Sequence, residues 1–149
     1  PSKSSVLEAI IIEALNEQLK LVDGVLTGDE SVVGRLSRIF HALYAFHDSR
    51  LTLMLHAISH SWLREPEAEA AVREGIAPLY QRIAGVLRDA RERGEIESQA
   101  DVNLITDTLF HCYLANYRRA AYDAWAVPDL AERMERHIRL VLGGAGLKA

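Results

Sequence analysis

The feature that most constrains this chain is helical periodicity, which runs through nearly all of its 149 residues. Apolar residues recur every three or four positions, as they do on the buried face of an amphipathic helix. No sustained alternation of apolar and polar residues is present, and no Asn-Gly or Asp-Gly hairpin turn joins two such stretches. The pattern therefore predicts an all-α protein.

Helix-capping and helix-ending residues divide this pattern into six segments. The predicted helices cover residues 4–22, 31–47, 49–62, 66–93, 102–123 and 128–143. Their bounds rest on residue types that commonly begin or end helices, namely Ser5 with Glu8 as a capping box, the glycines between 23 and 31, Asp48, Pro66, Gly94, Asp101, Pro128 and the pair Gly143-Gly144. No repeat or internal linker interrupts them. We therefore predict one domain over residues 1–149, folded as a six-helix bundle.

Composition limits what this domain can do. The net charge of −4 and the pI of about 5.9 argue against binding to a nucleic-acid backbone by this chain alone. No apolar run reaches the roughly 20 residues that a membrane-spanning helix needs, and no signal peptide is recognisable. Cys112 is the single cysteine, so no internal disulfide can form. These features predict a cytoplasmic protein with no membrane partner.

The fifth predicted helix carries two faces suited to packing. One face is apolar or aromatic and includes Val102, Ile105, Leu109, Cys112, Tyr113, Asn116, Tyr117 and Ala120. The opposite face mixes apolar and charged residues, namely Leu104, Asp107, His111, Leu114, Ala115 and Arg118. A small domain lacks the mass to cover both faces, so we expect a second subunit on one of them.

Aromatic side chains with polar tips, on the inward helix faces, form a candidate small-molecule site. The candidates are Phe40, Leu43, His47, Met54, Trp62, Tyr80, Tyr113, Asn116 and Tyr117. Such a site needs apolar area for affinity and a few hydrogen-bonding groups for orientation. The alternative is that these residues fill a core, although burying so many polar groups then requires a partner for each. We expect Asn116 and His47 to reach a ligand or a cavity water.

Other chemistry-bearing residues give weaker patterns. Pro78 inside the fourth helix predicts a kink, which either shapes a cavity or lets the helix wrap its neighbours. His56 and His60 are spaced like metal ligands, but no acidic third ligand accompanies them, so no metal site is predicted. Asp107 and His111 lack a nucleophile or an oxyanion site. We therefore predict no catalytic residue, no cofactor and no enzyme activity.

Four stretches of the chain resemble the C-terminal regulatory domain of the tetracycline-repressor (TetR) family of transcription regulators. They are PSKSSVLEAI at the start, APLYQRIAGVLRDARERGEI in the centre, and the closing pair ADVNLITDTLFHCYLANYRRAAYDAW and DLAERMERHIRLVLGG. The resemblance covers essentially the whole chain. It implies that residues 1–3 are the junction to a preceding helix-turn-helix that is missing here. The pair Gly143-Gly144 separately predicts that residues 143–149 are a flexible tail.

The resemblance also implies a function and an assembly. It implies a homodimer in which the last two helices of each chain form a four-helix bundle. The interface candidates are Leu104, Asp107, His111, Leu114, Arg118, Leu130, Met134, Ile138 and Val141. The implied function is the ligand-sensing, dimerising part of a repressor that a small apolar or aromatic effector relieves, with operator DNA bound only through the missing part. The alternative is a helical interaction module without a small-molecule ligand.

Overall fold

A computed structural model describes residues 2–26 and 30–148 of the chain, and these residues form α-helices joined by short turns. The α-helices are α1 (Lys3–Val25), α2 (Val32–His47), α3 (Leu51–His60), α4 (Pro66–Glu92), α5 (Val102–Ala115), α6 (Tyr117–Asp123) and α7 (Val127–Gly143). Two 3₁₀ turns, Asp48–Arg50 and Ser61–Leu63, flank α3. No strand occurs in the described residues. The predicted all-α class is confirmed.

Several helix ends lie where their capping residues predicted them. The Asp101 carboxylate accepts a hydrogen bond from the Leu104 N–H at 3.0 Å and caps α5. Pro66 is the first residue of α4, where its missing N–H is not needed. Gly94 has a φ of +75° and follows the end of α4. Its N–H bonds to the Arg91 carbonyl while the next N–H reaches Ala90, which is the Schellman arrangement.

The ends of α1 differ from the prediction. Its N-cap is Ser2, whose hydroxyl accepts from the Ser5 N–H at 3.1 Å, so the predicted capping box starting at Ser5 is wrong. The helix also continues through Gly24 to Val25, because one glycine costs a helix only about 1 kcal/mol. Pro1 and Gly28, which the sequence places in turns, lie outside the described residues.

Asp48 and the tail were further sequence expectations. Asp48 begins a 3₁₀ turn and α3 starts three residues later, so Asp48 does not cap α3 directly. At the other end, α7 stops at Gly143, and Gly144 follows with a φ of +67°. Residues 144–148 have no regular secondary structure.

The fifth predicted helix is broken at Asn116, which makes seven α-helices in the described residues instead of six. The Tyr44 hydroxyl donates to the Tyr113 carbonyl at 3.0 Å and accepts from the Asn116 side chain at 3.2 Å. A side chain inserted beside the backbone ladder is a recognised cause of a helix break. Because Tyr44 comes from α2, the spacing within residues 102–123 could not reveal the break.

Helix α2 is the centre of the fold and packs against α1, α4 and α7. Helix α1 also packs along α4, and α5 packs between α4 and α7. A residue that is distant in sequence caps the start of α2, since the Glu95 carboxylate accepts a hydrogen bond from the Val32 N–H at 2.9 Å. Arg35 adds an ion pair to Asp89 at 2.8 Å. These contacts tie the start of α2 to the end of α4.

Helix α4 remains a single helix through Pro78. One turn before this proline, Gly75 lies against α1, where an added Cβ would meet Leu15 at 3.5 Å and Ile12 at 3.6 Å. The glycine and the proline therefore weaken α4 at the level where it contacts α1. None of the helices in the described ranges is long and apolar enough to cross a lipid bilayer.

Candidate functional site

An aromatic cluster lies where α2, α4, α5 and α6 meet. Its members are Phe40 and Tyr44 of α2, Tyr80 of α4, Phe110 and Tyr113 of α5, and Tyr117 of α6. The spacing of three or four residues along α2 and α5–α6 places the rings on facing sides. The Tyr44 and Tyr113 ring centroids lie 4.7 Å apart, and Tyr80 stacks on Phe110 at 4.4 Å.

The polar tips of this aromatic cluster bond to each other and to nearby side chains. The Tyr113 and Tyr117 hydroxyls are 2.8 Å apart. The Asn116 amide donates to Tyr44 and its carbonyl oxygen lies 3.3 Å from His137 Nε2. Burial raises the pKa of Tyr44, Tyr113 and Tyr117, so all three phenols stay neutral and can donate hydrogen bonds.

His47 extends the polar network to α1. It is the last residue of α2, it is buried, and its Nε2 bonds to the side-chain amide of Gln18. Burial lowers the pKa of His47 to about 4, and the charge of Arg50 acts in the same direction. The imidazole is therefore neutral near pH 7. Its ring packs edge-on against Tyr117, with centroids 6.3 Å apart.

The structure brings most of the predicted ligand residues together. Six of them are buried in or beside the aromatic cluster, namely Phe40, Leu43, His47, Tyr113, Asn116 and Tyr117. Tyr80 is half-buried at the edge, where burial and the Asp107 carboxylate raise its pKa to about 12. Met54 is half-buried on α3. Trp62 is 91% exposed on the turn after α3 and does not reach the aromatic cluster.

Sequence reasoning missed three residues of this site, which are Tyr44, Phe110 and Gln18. Tyr44 lies one helical turn from both Phe40 and His47, and Phe110 lies one turn before Tyr113, so the same periodicity could have identified both. Gln18 gives no such signal, because an amide on a surface helix is usually solvated.

The aromatic cluster is closed. Its rings pack against each other, and two open depressions lie elsewhere, on the surface. One is a groove of about 580 Å³ at the α2–α3 corner, and the other is a cleft of about 230 Å³ beside Trp125. The side chains of His47 and Asn116 bond to other side chains and not to backbone. Their predicted contact with a ligand therefore stays a prediction.

The described residues contain no group of three His, Cys, Asp or Glu side chains that is arranged to hold a metal ion. His56 is exposed on α3, whereas His60 is half-buried. Burial raises the pKa of the Cys112 thiol, which keeps it protonated and unreactive. Asp107 and His111 lie 3.8 Å apart on the outer face of α5.

The predicted interface residues fall into two groups. On the outer side of α5 and α6, Leu104 is 61% exposed and His111 and Arg118 are exposed, while Asp107 and Leu114 are half-buried. On α7, three residues are buried within the single chain, namely Leu130, Met134 and Ile138, and Val141 is half-buried. The apolar stripe of α7 already packs on α2, so those three side chains are not available to a partner.

Comparison with known proteins gives one family and two solved structures. Residues 27–138 match the family described as tetracyclin repressor-like, C-terminal domain. Thermus thermophilus FadR, a TetR-family transcriptional repressor solved in complex with lauroyl-CoA, is 26% identical with a TM-score of 0.76, over 100% of this chain and 76% of that chain. No curated protein matches.

The second solved structure is PfmR, a TetR-family transcriptional regulator that also comes from Thermus thermophilus. It has a TM-score of 0.75 and 16% identity, over 98% of this chain and 78% of that chain. At that identity the likeness concerns the fold alone.

Proposed function

Because the chain belongs to the family of tetracyclin repressor-like C-terminal domains, we propose that it is the ligand-sensing and dimerising domain of a DNA-binding transcription regulator. Operator DNA binds through a helix-turn-helix that precedes residue 1 in the complete regulator. The regulator represses until a small, largely apolar effector binds to this domain. The chain itself carries out no catalysis.

The observation that carries this proposal is the aromatic cluster with its internally bonded polar tips. Phenol, amide and imidazole groups at the meeting point of several helices can exchange their mutual hydrogen bonds for bonds to a ligand, at modest net cost. A core built only for stability would use apolar residues there. FadR was solved with lauroyl-CoA, which supports an effector that carries an acyl chain.

In the proposed mechanism, effector binding changes how α1 packs. Helix α1 lies along α4 and contacts α2 through the Gln18–His47 bond. An effector that binds one packing of these helices more tightly shifts the population toward it. The tilt of α1 then sets the distance between the two DNA-binding heads of a dimer, which must match about one turn of DNA or a multiple of it.

The proposed dimer surface is the exposed side of α5 and α6. It presents the apolar side chains Leu104 and Tyr122, which are 61% and 77% exposed, with His111 and Arg118. Exposed apolar side chains among polar ones are typical of protein interfaces. The buried apolar stripe of α7 restricts the α7 contribution to its outer, mostly charged side.

A thermal-shift experiment tests ligand sensing. We would heat the protein alone and with lauroyl-CoA, dodecanoate or coenzyme A without an acyl chain. An effector at 100 times its dissociation constant stabilises the folded state by about 2.7 kcal/mol, which raises the melting temperature of such a domain by several degrees. We expect this shift with the two acyl compounds and not with coenzyme A.

The second candidate function is a helical interaction module that binds no small molecule. The closed packing of the aromatic cluster favours it. This candidate is supported if neither the acyl compounds nor a wide panel of apolar and aromatic molecules changes the melting temperature while the protein remains dimeric.

A further inference from the structure

Helix α3 differs from every other α-helix in the described ranges because none of its side chains is fully buried. Its sequence, LTLMLHAISH, is nevertheless strongly apolar. A helix of this composition normally buries a continuous apolar stripe. Here six apolar side chains remain half-buried, which are Leu51, Leu53, Met54, Leu55, Ala57 and Ile58. Helix α3 is therefore the most weakly anchored apolar element of the described fold.

The connections of α3 also favour movement. The 3₁₀ turns Asp48–Arg50 and Ser61–Leu63 stand at its two ends, and neither contains a buried residue. No side chain caps the start of α3. Short 3₁₀ segments are common at hinges, and few buried contacts characterise segments that open locally. The main helical neighbour of α3 is α6 and not α2 or α4, which carry most of the core.

The inner side of α3 has the chemistry of an apolar-chain site. Leu51, Met54, Leu55 and Ile58 pack against the core, and the helix that α3 contacts most is α6, which carries Tyr117 of the aromatic cluster. This surface consists of flexible aliphatic and thioether side chains, and Tyr117 of the facing helix is buried with its hydroxyl bonded to that of Tyr113. Methionine in particular adapts to irregular apolar partners.

An open groove adjoins the start of α3. It measures about 580 Å³, within the range of small-molecule sites, and Leu51 belongs both to the groove and to the inner side of α3. Arg50 and His56 line it beside Asp48. Arg50 also lies over the Phe46 ring at 4.6 Å. The Arg50 guanidinium also pairs with the Glu17 carboxylate at 3.8 Å, and both side chains are partly exposed. An anionic head at Arg50 therefore replaces an exposed ion pair at the edge of an apolar layer.

We propose that α3 is a movable flap and that an unbranched acyl chain binds beneath it, between α3 and α6, with its anionic head at Arg50 in the groove. This inference deepens the proposed function, on which it rests, by naming the site and the class of ligand. Because α6 carries Tyr117, lifting α3 gives the ligand access to this edge of the aromatic cluster. Lifting α3 exposes the inner side chains to the ligand and leaves the helices that carry the core in place.

Hydrogen–deuterium exchange of the unliganded protein tests the flap. Amides of residues 48–63 should exchange at least about tenfold faster than those in the middle of α2 and α4, because α3 opens locally while the core stays closed. Equal protection of residues 48–63 and the core helices would overturn the flap. Dodecanoate should then slow the exchange of residues 48–63 selectively.

Matched substitutions test the site. Leu55→Ala removes apolar surface beneath α3 and should weaken dodecanoate binding about tenfold, since hydrophobic pockets discriminate by such factors. Leu140→Ala makes the same change on an exposed residue of α7 and should leave the affinity unchanged. Both positions are partly exposed, so both variants are expected to fold, and circular dichroism checks this. Unchanged binding in Leu55→Ala would overturn the site beneath α3.

The head group is tested with two probes. Arg50→Gln should weaken dodecanoate binding about tenfold, because it removes a charge-assisted contact, and leave the binding of neutral dodecanol unchanged. An equal loss for both probes contradicts a head-group contact at Arg50. If the unaltered protein binds none of dodecanoate, dodecanol and lauroyl-CoA, the proposal of an acyl effector is overturned. If it binds them and Leu55→Ala binds them equally well, only the site proposed here is overturned.

Discussion

At the scale of single residues, Tyr44 has the largest structural role in the candidate site. Its hydroxyl donates to the Tyr113 carbonyl and accepts from Asn116, and its ring is buried among Tyr113 and Tyr117. One hydroxyl thus satisfies two buried groups at the break between α5 and α6. Leaving either group without a partner costs desolvation free energy.

Tyr44→Phe should lower the free energy of unfolding by about 1–3 kcal/mol, because it removes both hydrogen bonds and keeps the ring. Urea denaturation measures the change. Tyr122→Phe is the matched control, since Tyr122 is 77% exposed in the single chain and lies outside the core. Equal stability of the two variants would show that the Tyr44 hydroxyl is replaceable by water.

His47 should make the protein less stable at acidic pH. The pKa of His47 is about 4 in the folded state and 6.5 when unperturbed, so the unfolded chain binds the proton more tightly. The free energy of unfolding therefore loses nothing through His47 above about pH 6.5. As the pH decreases toward 4, protonation of this residue in the unfolded chain lowers the free energy of unfolding by roughly 3 kcal/mol.

We expect His47→Gln to flatten the dependence of unfolding free energy on pH between about 6.5 and 4. His137, whose pKa is also lowered by burial and by Arg133 and Arg136, leaves a smaller slope in the variant. His56→Gln, at an exposed position, controls for the exchange of a histidine for a glutamine. A His47→Gln curve parallel to that of the unaltered protein would contradict the assignment.

Among the secondary-structure elements, α4 has a glycine within it, Gly75, and another just after its end, Gly94, and the two tolerate a side chain differently. Gly94 ends the helix with a φ of +75°, a conformation that a side chain disfavours. Gly75 lies within the helix, and an added Cβ there would make ordinary contacts with Leu15 and Ile12. Only Gly94 is therefore required by backbone geometry.

Gly75→Ala should raise the free energy of unfolding by about 0.5–1 kcal/mol, because alanine favours the helix and no clash opposes it. Gly94→Ala should lower it by about 1–2 kcal/mol, since the left-handed conformation becomes strained. Thermal denaturation of both variants checks the opposite signs. A loss of stability in Gly75→Ala would indicate that α4 and α1 approach more closely than described.

At the scale of the whole molecule, the exposed side of α5 and α6 is the surface left for a partner. Leu104→Asp should convert a dimer to monomers, because it places a charge in the apolar part of the proposed interface. Leu63→Asp is the control, since Leu63 is 76% exposed on the turn after α3. Sedimentation equilibrium distinguishes the two outcomes. If the Leu104→Asp variant still dimerises, the interface lies on another surface.

Local residue patterns were enough to predict the fold class, most helix bounds and the family resemblance. Helical periodicity and caps such as Asp101, Pro66 and Gly94 are local, because they depend on residues within one or two turns. The inward placement of Phe40, Leu43, Tyr113 and Tyr117 was likewise readable from one helix face. These features follow from short-range geometry, which the order of residues specifies directly.

Which helix faces meet depends instead on the packing of the whole chain. The break at Asn116 depends on Tyr44 from another helix, and the neutral state of His47 depends on burial against Gln18 of α1. Leu130, Met134 and Ile138 are apolar in either environment, so periodicity could not tell that α2 covers them within one chain. Such pairings join residues far apart in sequence, and their energies depend on distances and burial that exist only once the helices have packed.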